Sequence, residues 1–186
     1  VKYIIKWALF FPPNLAIELL AYIVNPLVAL VPTRWEERTD SVKILEDKQV
    51  TIPREYLRKY IYWFQTHDNA VDEWWYGGFY KKSFFPFVRK WEQEDYDNSW
   101  WKRYLCRLMW MTRNNAYGFS YNLFGARHDG GENSNGKYLR REKSWHFRKL
   151  VPIGFGYHTS INIGWKAHKN IPRLMYAGRI FGGFRK

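Results

Sequence analysis

Cysteine occurs once in the chain, at Cys106, so no internal disulfide can form, and 186 residues are enough to bury a core without one. A lone thiol suits a reducing compartment, and its neighbours in YLCRLMW mark it as a packing residue rather than a nucleophile. Catalytic signatures are also missing. There is no G-x-S-x-G elbow, no H-E-x-x-H and no paired C-x-x-C, which argues against nucleophilic hydrolysis and structural zinc. Acid is scarce in one half only. Residues 101–186 hold 17 Lys/Arg against 3 Asp/Glu, whereas residues 1–100 hold 13 against 14. The formal charge of +13 therefore comes from the C-terminal half, whose expected partner is polyanionic: an anionic membrane surface first, nucleic acid as the alternative.

Aromatic residues, by contrast, make up 20% of the chain, with 11 tryptophans. Rings that join an apolar body to a polar edge suit a membrane–water boundary as well as a core. The longest apolar stretch is WALFFPPNLAIELLAYIVNPLVALVPT, from Trp7 to Thr33, in which Glu18 is the only charge. It has the length of a membrane span but not the texture, because Pro12 and Pro13 lack amide donors and Pro26 interrupts again. A helix is expected to start near Pro13 or Asn14, with Asn14 as its cap. Three structures satisfy the pattern: a Pro-kinked span over residues 13–32, a broken hairpin dipping into one leaflet, or a helix pair in the protein's own core. Membrane contact would fall to Trp7, Phe10, Phe11, Leu19, Leu20 and Leu27. The double proline and the lack of an A-x-A-like site argue against a secretory signal.

The rest reads as α+β: an apolar N-terminal helical segment over 1–33, then one basic domain over 34–186 with two or three amphipathic helices and a C-terminal antiparallel sheet. Residues 34–53 alternate in charge and look like a surface connection with one short strand. REYLRKYIYWF then carries helical spacing at Leu57, Tyr60, Ile61 and Phe64. In SWWKRYLCRLMWMTR, Ser99 can cap a helix whose apolar stripe is Trp101, Tyr104, Leu105, Leu108 and Met111, with Lys102, Arg103 and Arg107 on a basic face. From Trp145 to Trp165 the odd positions are apolar or aromatic almost throughout, the period of a strand with one buried face. A break is expected near Pro152 to Gly156, and a further strand around Arg173 to Phe181. The polar face would carry His146, Arg148, His158 and Lys166.

The order of an apolar N-terminus, WFQTHDNAVDEWW, RYLCRLMWMTRNNAYGFSYNLFG and a late Gly164-Trp165-Lys166 resembles a family of small uncharacterised proteins encoded by tailed bacteriophages. The resemblance implies an origin rather than an activity. It would make the chain an accessory protein of an infected bacterium, or a virion component, and it carries over no catalytic residue.

Two clusters invite a catalytic reading. In WFQTHDNAVDEWW, His67, Asp68 and Asp72 with Glu73 could hold a divalent ion if Asp68 and Asp72 share a helix face. The competing reading is a polar corner, capped by Thr66 or Asp68 and pinned by Trp63, Phe64, Trp74 and Trp75. The loop RHDGGEN offers His128, Asp129 and Glu132 but matches neither a P-loop nor a dinucleotide fingerprint. A metal-dependent hydrolase would require the His67 and His128 clusters to meet. Otherwise no cofactor and no metal is expected.

The leading expectation is a membrane-associated, non-enzymatic protein on the cytoplasmic side of the host inner membrane. Arg103, Arg107, Arg140, Arg141, Lys143, Arg148 and Lys149 would meet lipid headgroups. A nucleic-acid-binding protein, a metal-dependent hydrolase, a virion part and a binder of a host or phage protein are the alternatives.

Overall fold

The apolar N-terminal run folds as one uninterrupted helix, α1 (Lys2–Val28), in a computed structural model that describes residues 2–45, 48–66, 69–83, 85–127, 146–166 and 173–179. The hairpin and the helix pair are thereby excluded, and the expected start at Pro13 lies eleven residues too late. Pro12 and Pro13 remove the i→i−4 donors for the carbonyls of Ala8 and Leu9. Side-chain packing on the other side of the helix holds the turn together: Trp7, Phe10 and Ile17 lie on an aromatic core. Asn14 is consequently mid-helix and not a cap.

The chain forms two compact units, Val1–Ala21 with Ala116–Lys186, and Tyr22–Asn115. Helix α1 passes from the first into the second between Ala21 and Tyr22.

In the unit Tyr22–Asn115, strands β1 (Arg34–Val42) and β2 (Lys48–Tyr56) form a two-stranded antiparallel ladder, in register from Arg34↔Tyr56 to Val42↔Lys48. The sequence suggests a connection with one short strand here; two nine-residue strands are found. Charged side chains on both strands mask the period-two signal. The helix expected in REYLRKYIYWF is absent as well. Arg54 to Tyr56 complete β2, and Tyr62–Phe64 make a single 3-10 turn. The apolar spacing that looked helical is split: Leu57 is fully buried, Tyr60 is 69% exposed.

Three helices follow: α2 (Glu73–Tyr76), α3 (Gln93–Asn98) and α4 (Trp100–Arg113). Glu94, Asp95 and Asp97 lie within α3, which opens on a reciprocal capping box between Glu92 and Asp95. Ser99 accepts from the Lys102 amide and caps α4 as expected. One core gathers Trp74, Trp75, Tyr80, Val88, Trp91, Tyr96, Cys106 and Trp110. At its centre Trp75 stacks on Tyr96 with ring centroids 4.9 Å apart and donates its indole N–H to Gln93 Oε1 at 3.1 Å. A second core joins Val28 and Ala29 to Leu57, Val71 and Met111.

The other unit adds α5 (Tyr117–Asn122), β3 (Ala126–Arg127), β4 (His146–Gly154), β5 (Tyr157–Lys166) and β6 (Arg173–Arg179). The strands run antiparallel in the order β3-β6-β5-β4. Here the α+β reading holds: an N-terminal apolar helix, several short helices and a C-terminal antiparallel sheet with three long strands. Its core is aromatic. Trp7 stacks on Tyr176 at 6.0 Å, Phe10 meets Phe124 at 5.4 Å, and Trp165 stands edge-on to Tyr176 at 5.6 Å.

The alternation from Trp145 to Trp165 correctly marks strands, but its burial half holds only in part: in β5 Ser160 and Gly164 of the other face are buried too, and in β4 it fails. Tyr157, Thr159 and Trp165 are buried, whereas Phe147, Ile153 and Phe155 are exposed. Strand β4 lies at the sheet edge, and from Phe147 to Gly154 only Val151 is even half-covered.

Candidate functional site

Helix α1 is apolar on both sides, and its few buried polar residues lie on the side that packs on the protein. Trp7, Phe10, Asn14, Ile17, Glu18, Ala21, Val24, Asn25 and Val28 recur three or four residues apart along one face, and this is the covered face. Three of its members are polar and buried: Asn14, Glu18 and Asn25. Ile4, Ile5, Leu9, Leu19, Leu20, Ile23 and Leu27 point the other way and are exposed, Leu9 to 70%, Ile23 to 74% and Leu27 to 65%. No charged residue lies among the exposed positions from Ile4 to Leu27. A soluble helix buries its apolar stripe and wets its polar one; here the outward side is apolar as well, and Asn14, Glu18 and Asn25 lie on the covered side.

The polar stripe is bonded within the protein except at Asn25 Oδ1, which is buried with no hydrogen-bond partner among the described residues. Asn14 donates to Glu18 Oε1 at 3.2 Å, and Ser120 Oγ donates to Asn14 Oδ1 at 3.5 Å. Trp7 Nε1 donates to the Ala177 carbonyl at 2.8 Å, and the Tyr176 hydroxyl donates back to the Trp7 carbonyl at 3.0 Å. Burial and the nearby Glu18 charge raise the Tyr176 phenol above its ordinary value. Farther along, Asn25 Nδ2 donates to Asn115 Oδ1 at 2.8 Å.

Of the expected membrane contacts, Leu19, Leu20 and Leu27 are exposed as a membrane face requires. Phe11 is half-buried beside Trp7. Trp7 and Phe10 need correction: both pack inward on the Phe124, Trp165 and Tyr176 core. Large rings filled the space above the sheet better than the smaller Ile and Leu neighbours. The sequence signal for this polar stripe was present but unread, because Asn14, Glu18 and Asn25 are spaced four and seven apart and so share one face.

The second cluster of chemistry-bearing residues is buried in the unit Tyr22–Asn115. Arg54 Nε donates to Asp72 Oδ1 at 3.0 Å, and its Nη2 reaches Glu73 Oε2 at 2.7 Å. The Glu55 amide donates to Asp72 Oδ2 at 2.9 Å. Arg107 closes a two-pronged contact on Glu55, Nε to Oε2 at 2.8 Å and Nη2 to Oε1 at 2.9 Å, and gives a third bond to the Ala29 carbonyl at 3.2 Å. Burial pushes the Asp72 carboxyl up to about 7, against the pull of Arg54 and the Glu55 amide. Arg54 is driven the stabilised way: burial opposes its charge, but Asp72 and Glu73 outweigh it.

These contacts decide the WFQTHDNAVDEWW question for the residues that are described. Thr66 Oγ1 donates to the Asn69 carbonyl at 3.1 Å, and Gln65 Oε1 accepts from the Leu57 amide at 2.7 Å. Trp74 and Trp75 are buried. Asp72 is committed to Arg54 and the β2 backbone, with its oxygens turned away from any open site. His67, Asp68, His128, Asp129 and Glu132 lie outside the described residues. Among the described residues, no group of three or more His, Cys, Asp or Glu is arranged to hold a metal ion.

The expected headgroup contacts divide likewise. Arg107 is not on a basic face; it is buried against Glu55, because α4 turns Cys106, Arg107, Trp110 and Met111 inward while Trp101 is half-exposed. Arg103 is half-buried and donates to the Asp97 carbonyl at 3.3 Å. Arg148 and Lys149 are exposed on β4. Arg140, Arg141 and Lys143 lie outside the described residues. Cys106 is buried, and burial raises its thiol well above the ordinary value, so it packs rather than reacts. Arg54 and Glu55 went unremarked in the sequence. The available signal was their position between Ile52-Pro53 and Leu57, two charges inside an apolar stretch.

An α+β protein with one long apolar N-terminal helix and a buried ion-pair cluster is the class these observations define. The chain belongs to the Family of unknown function (DUF7338), which it matches over residues 1–176. No curated protein and no solved structure matches it.

Proposed function

We propose that the protein is a non-enzymatic, monotopic membrane protein, held at a bilayer surface by the outward face of α1. The observation that carries the reading is the division of faces: Asn14, Glu18 and Asn25 inside, Ile4, Ile5, Leu9, Leu19, Leu20, Ile23 and Leu27 outside. At 1.5 Å per residue, Ile4 to Leu27 extends for about 35 Å, close to the ~30 Å hydrocarbon thickness, so length alone permits a span. The helix's neighbours argue for lying flat. Trp7 to Ile17 pack on the aromatic core of the sheet in one unit, and Val24 to Ala29 pack into the core of the other. A crossing orientation would draw that sheet, with Arg148 and Lys149 exposed on β4, into hydrocarbon, where charged side chains are costly. In the interface plane, only the apolar face enters lipid and the protein stays in water.

Basic charge supports the same partner. From Lys143 to Lys186 the chain holds nine Lys/Arg and no Asp/Glu, and Arg148 and Lys149 are exposed. Each near-surface cation adds about 1 kcal/mol of attraction to an anionic leaflet. The resemblance to tailed-phage proteins extends the proposal: the leaflet would be the cytoplasmic one of an infected bacterium. The test is flotation with phosphatidylcholine/phosphatidylglycerol vesicles. Wild-type protein floats and the combined Leu20→Asn, Ile23→Asn and Leu27→Asn variant stays at the bottom with an unchanged melting temperature. Equal flotation of the two would overturn the reading.

A further inference from the structure

The β4–β5 hairpin ends in a residue that a soluble hairpin would not choose. Its two-residue loop is Phe155-Gly156, both with positive φ, 53° and 75°, as in a type I′ turn. Asn, Asp or Gly ordinarily fills the first of these positions, because a side chain with a bulky Cβ substituent pays about 1–2 kcal/mol in the left-handed region. Phe155 adopts it and is 94% exposed, so no contact within the described protein offsets the strain. A bulge between Pro152 and Gly154, with Gly154 at φ 98°, bends the strand just before the tip. Ile153 beside it is 42% exposed, and Pro152 is exposed too. From Leu150 to Tyr157 no residue is charged, and behind this apolar tip stand Arg148 and Lys149.

We infer that the hairpin tip, Ile153 to Gly156, is a second membrane anchor, which inserts the Phe155 ring among the acyl chains of an anionic leaflet. The inference rests on the membrane reading of α1 and adds an element independent of that helix. An uncharged aromatic tip followed by exposed cations and no nearby acid complements an anionic bilayer: apolar interior, negative rim. The strain at Phe155 has its counterpart there, since the ring leaves water only when the tip enters lipid.

The position gives a test in which stability and binding move in opposite directions. Phe155→Asn places a residue that favours positive φ in the same turn, so the variant melts about 2–4 °C higher than wild type. Its affinity for phosphatidylcholine/phosphatidylglycerol vesicles falls by about tenfold or more, the loss of one buried phenyl. An environment-sensitive fluorophore on Phe155→Cys shifts to the blue when those vesicles are added, Cys106 being too buried to compete. Wild-type flotation with unchanged affinity in Phe155→Asn, or an unshifted fluorophore, overturns the hairpin anchor while leaving α1 in place. Absence of wild-type flotation overturns both. A blue shift produced by an added protein fraction and not by vesicles also overturns the lipid assignment.

Discussion

Asn14 and Glu18 sit one turn apart on α1 and share a hydrogen bond of 3.2 Å on the covered side of the helix, while Leu19 and Leu20 next to them face outward. A helix in water places these four residues the other way round. The pair therefore fixes which side of α1 belongs to the protein and leaves the apolar side uncovered among the described residues.

The two faces of α1 respond differently to substitution. Asn25→Leu removes the 2.8 Å donation to Asn115 Oδ1, for a cost of about 0.5–1.5 kcal/mol. Urea titration detects the loss, and vesicle flotation is unchanged at temperatures where the variant stays folded. The outward substitutions at Leu20, Ile23 and Leu27 give the mirror result, with flotation lost and stability kept. If both kinds of variant affected both readouts equally, the faces would not have separate roles.

Arg107 and Glu55 form a buried ion pair in the unit Tyr22–Asn115. Arg107→Ala leaves a buried carboxylate without its counter-charge and destabilises by about 3–5 kcal/mol. Adding Glu55→Gln to Arg107→Ala costs less than the sum of the separate losses, because one interaction serves both. Chemical denaturation of the four proteins measures the coupling. Strict additivity would show that the pair contributes nothing as a pair.

The Asp72 cluster makes stability depend on pH. Two guanidiniums, Arg54 and Arg107, face three carboxyls, Glu55, Asp72 and Glu73. One carboxyl is in excess, and the fully buried Asp72, with its value near 7, holds the proton. The unfolded carboxyl titrates at about 4, so between about 4 and 7 the native state holds a proton that the unfolded state has released. The contribution from Asp72 is full below that window and declines as pH rises through it. Asp72→Asn has no such titration, and the difference in stability between wild type and variant changes across pH 4 to 7. A difference constant over that range contradicts the assignment.

Cys106 should resist thiol reagents in the native protein and react on unfolding, as a fully covered thiol with a raised value does. Stoichiometric labelling with a maleimide under native conditions would contradict its burial.

Several of these features are legible in the residues themselves. Ser99 and the spacing after it give α4, the alternation from Trp145 gives β-structure, and the break at Phe155-Gly156 falls inside the expected window. Tertiary context decides the remainder. Arg54 and Glu55 draw no notice in the sequence, because their partners Asp72 and Arg107 lie 18 and 52 positions away. Pro12 and Pro13 read as a helix start because local propensity cannot count the packing of Trp7, Phe10 and Ile17. The burial of alternating residues in β4 fails because edge position is a property of the sheet, not of the strand.

Depth in the bilayer tests the monotopic reading of α1 most directly. A nitroxide or fluorophore placed in turn on Ile5→Cys, Leu9→Cys, Ile23→Cys and Leu27→Cys, with lipid-borne quenchers at graded depths, reports how far each position penetrates. A helix lying flat puts all four at one shallow depth near the headgroup–acyl boundary. Depths graded from one leaflet to the other along the helix, or four labels that remain in water, would contradict it.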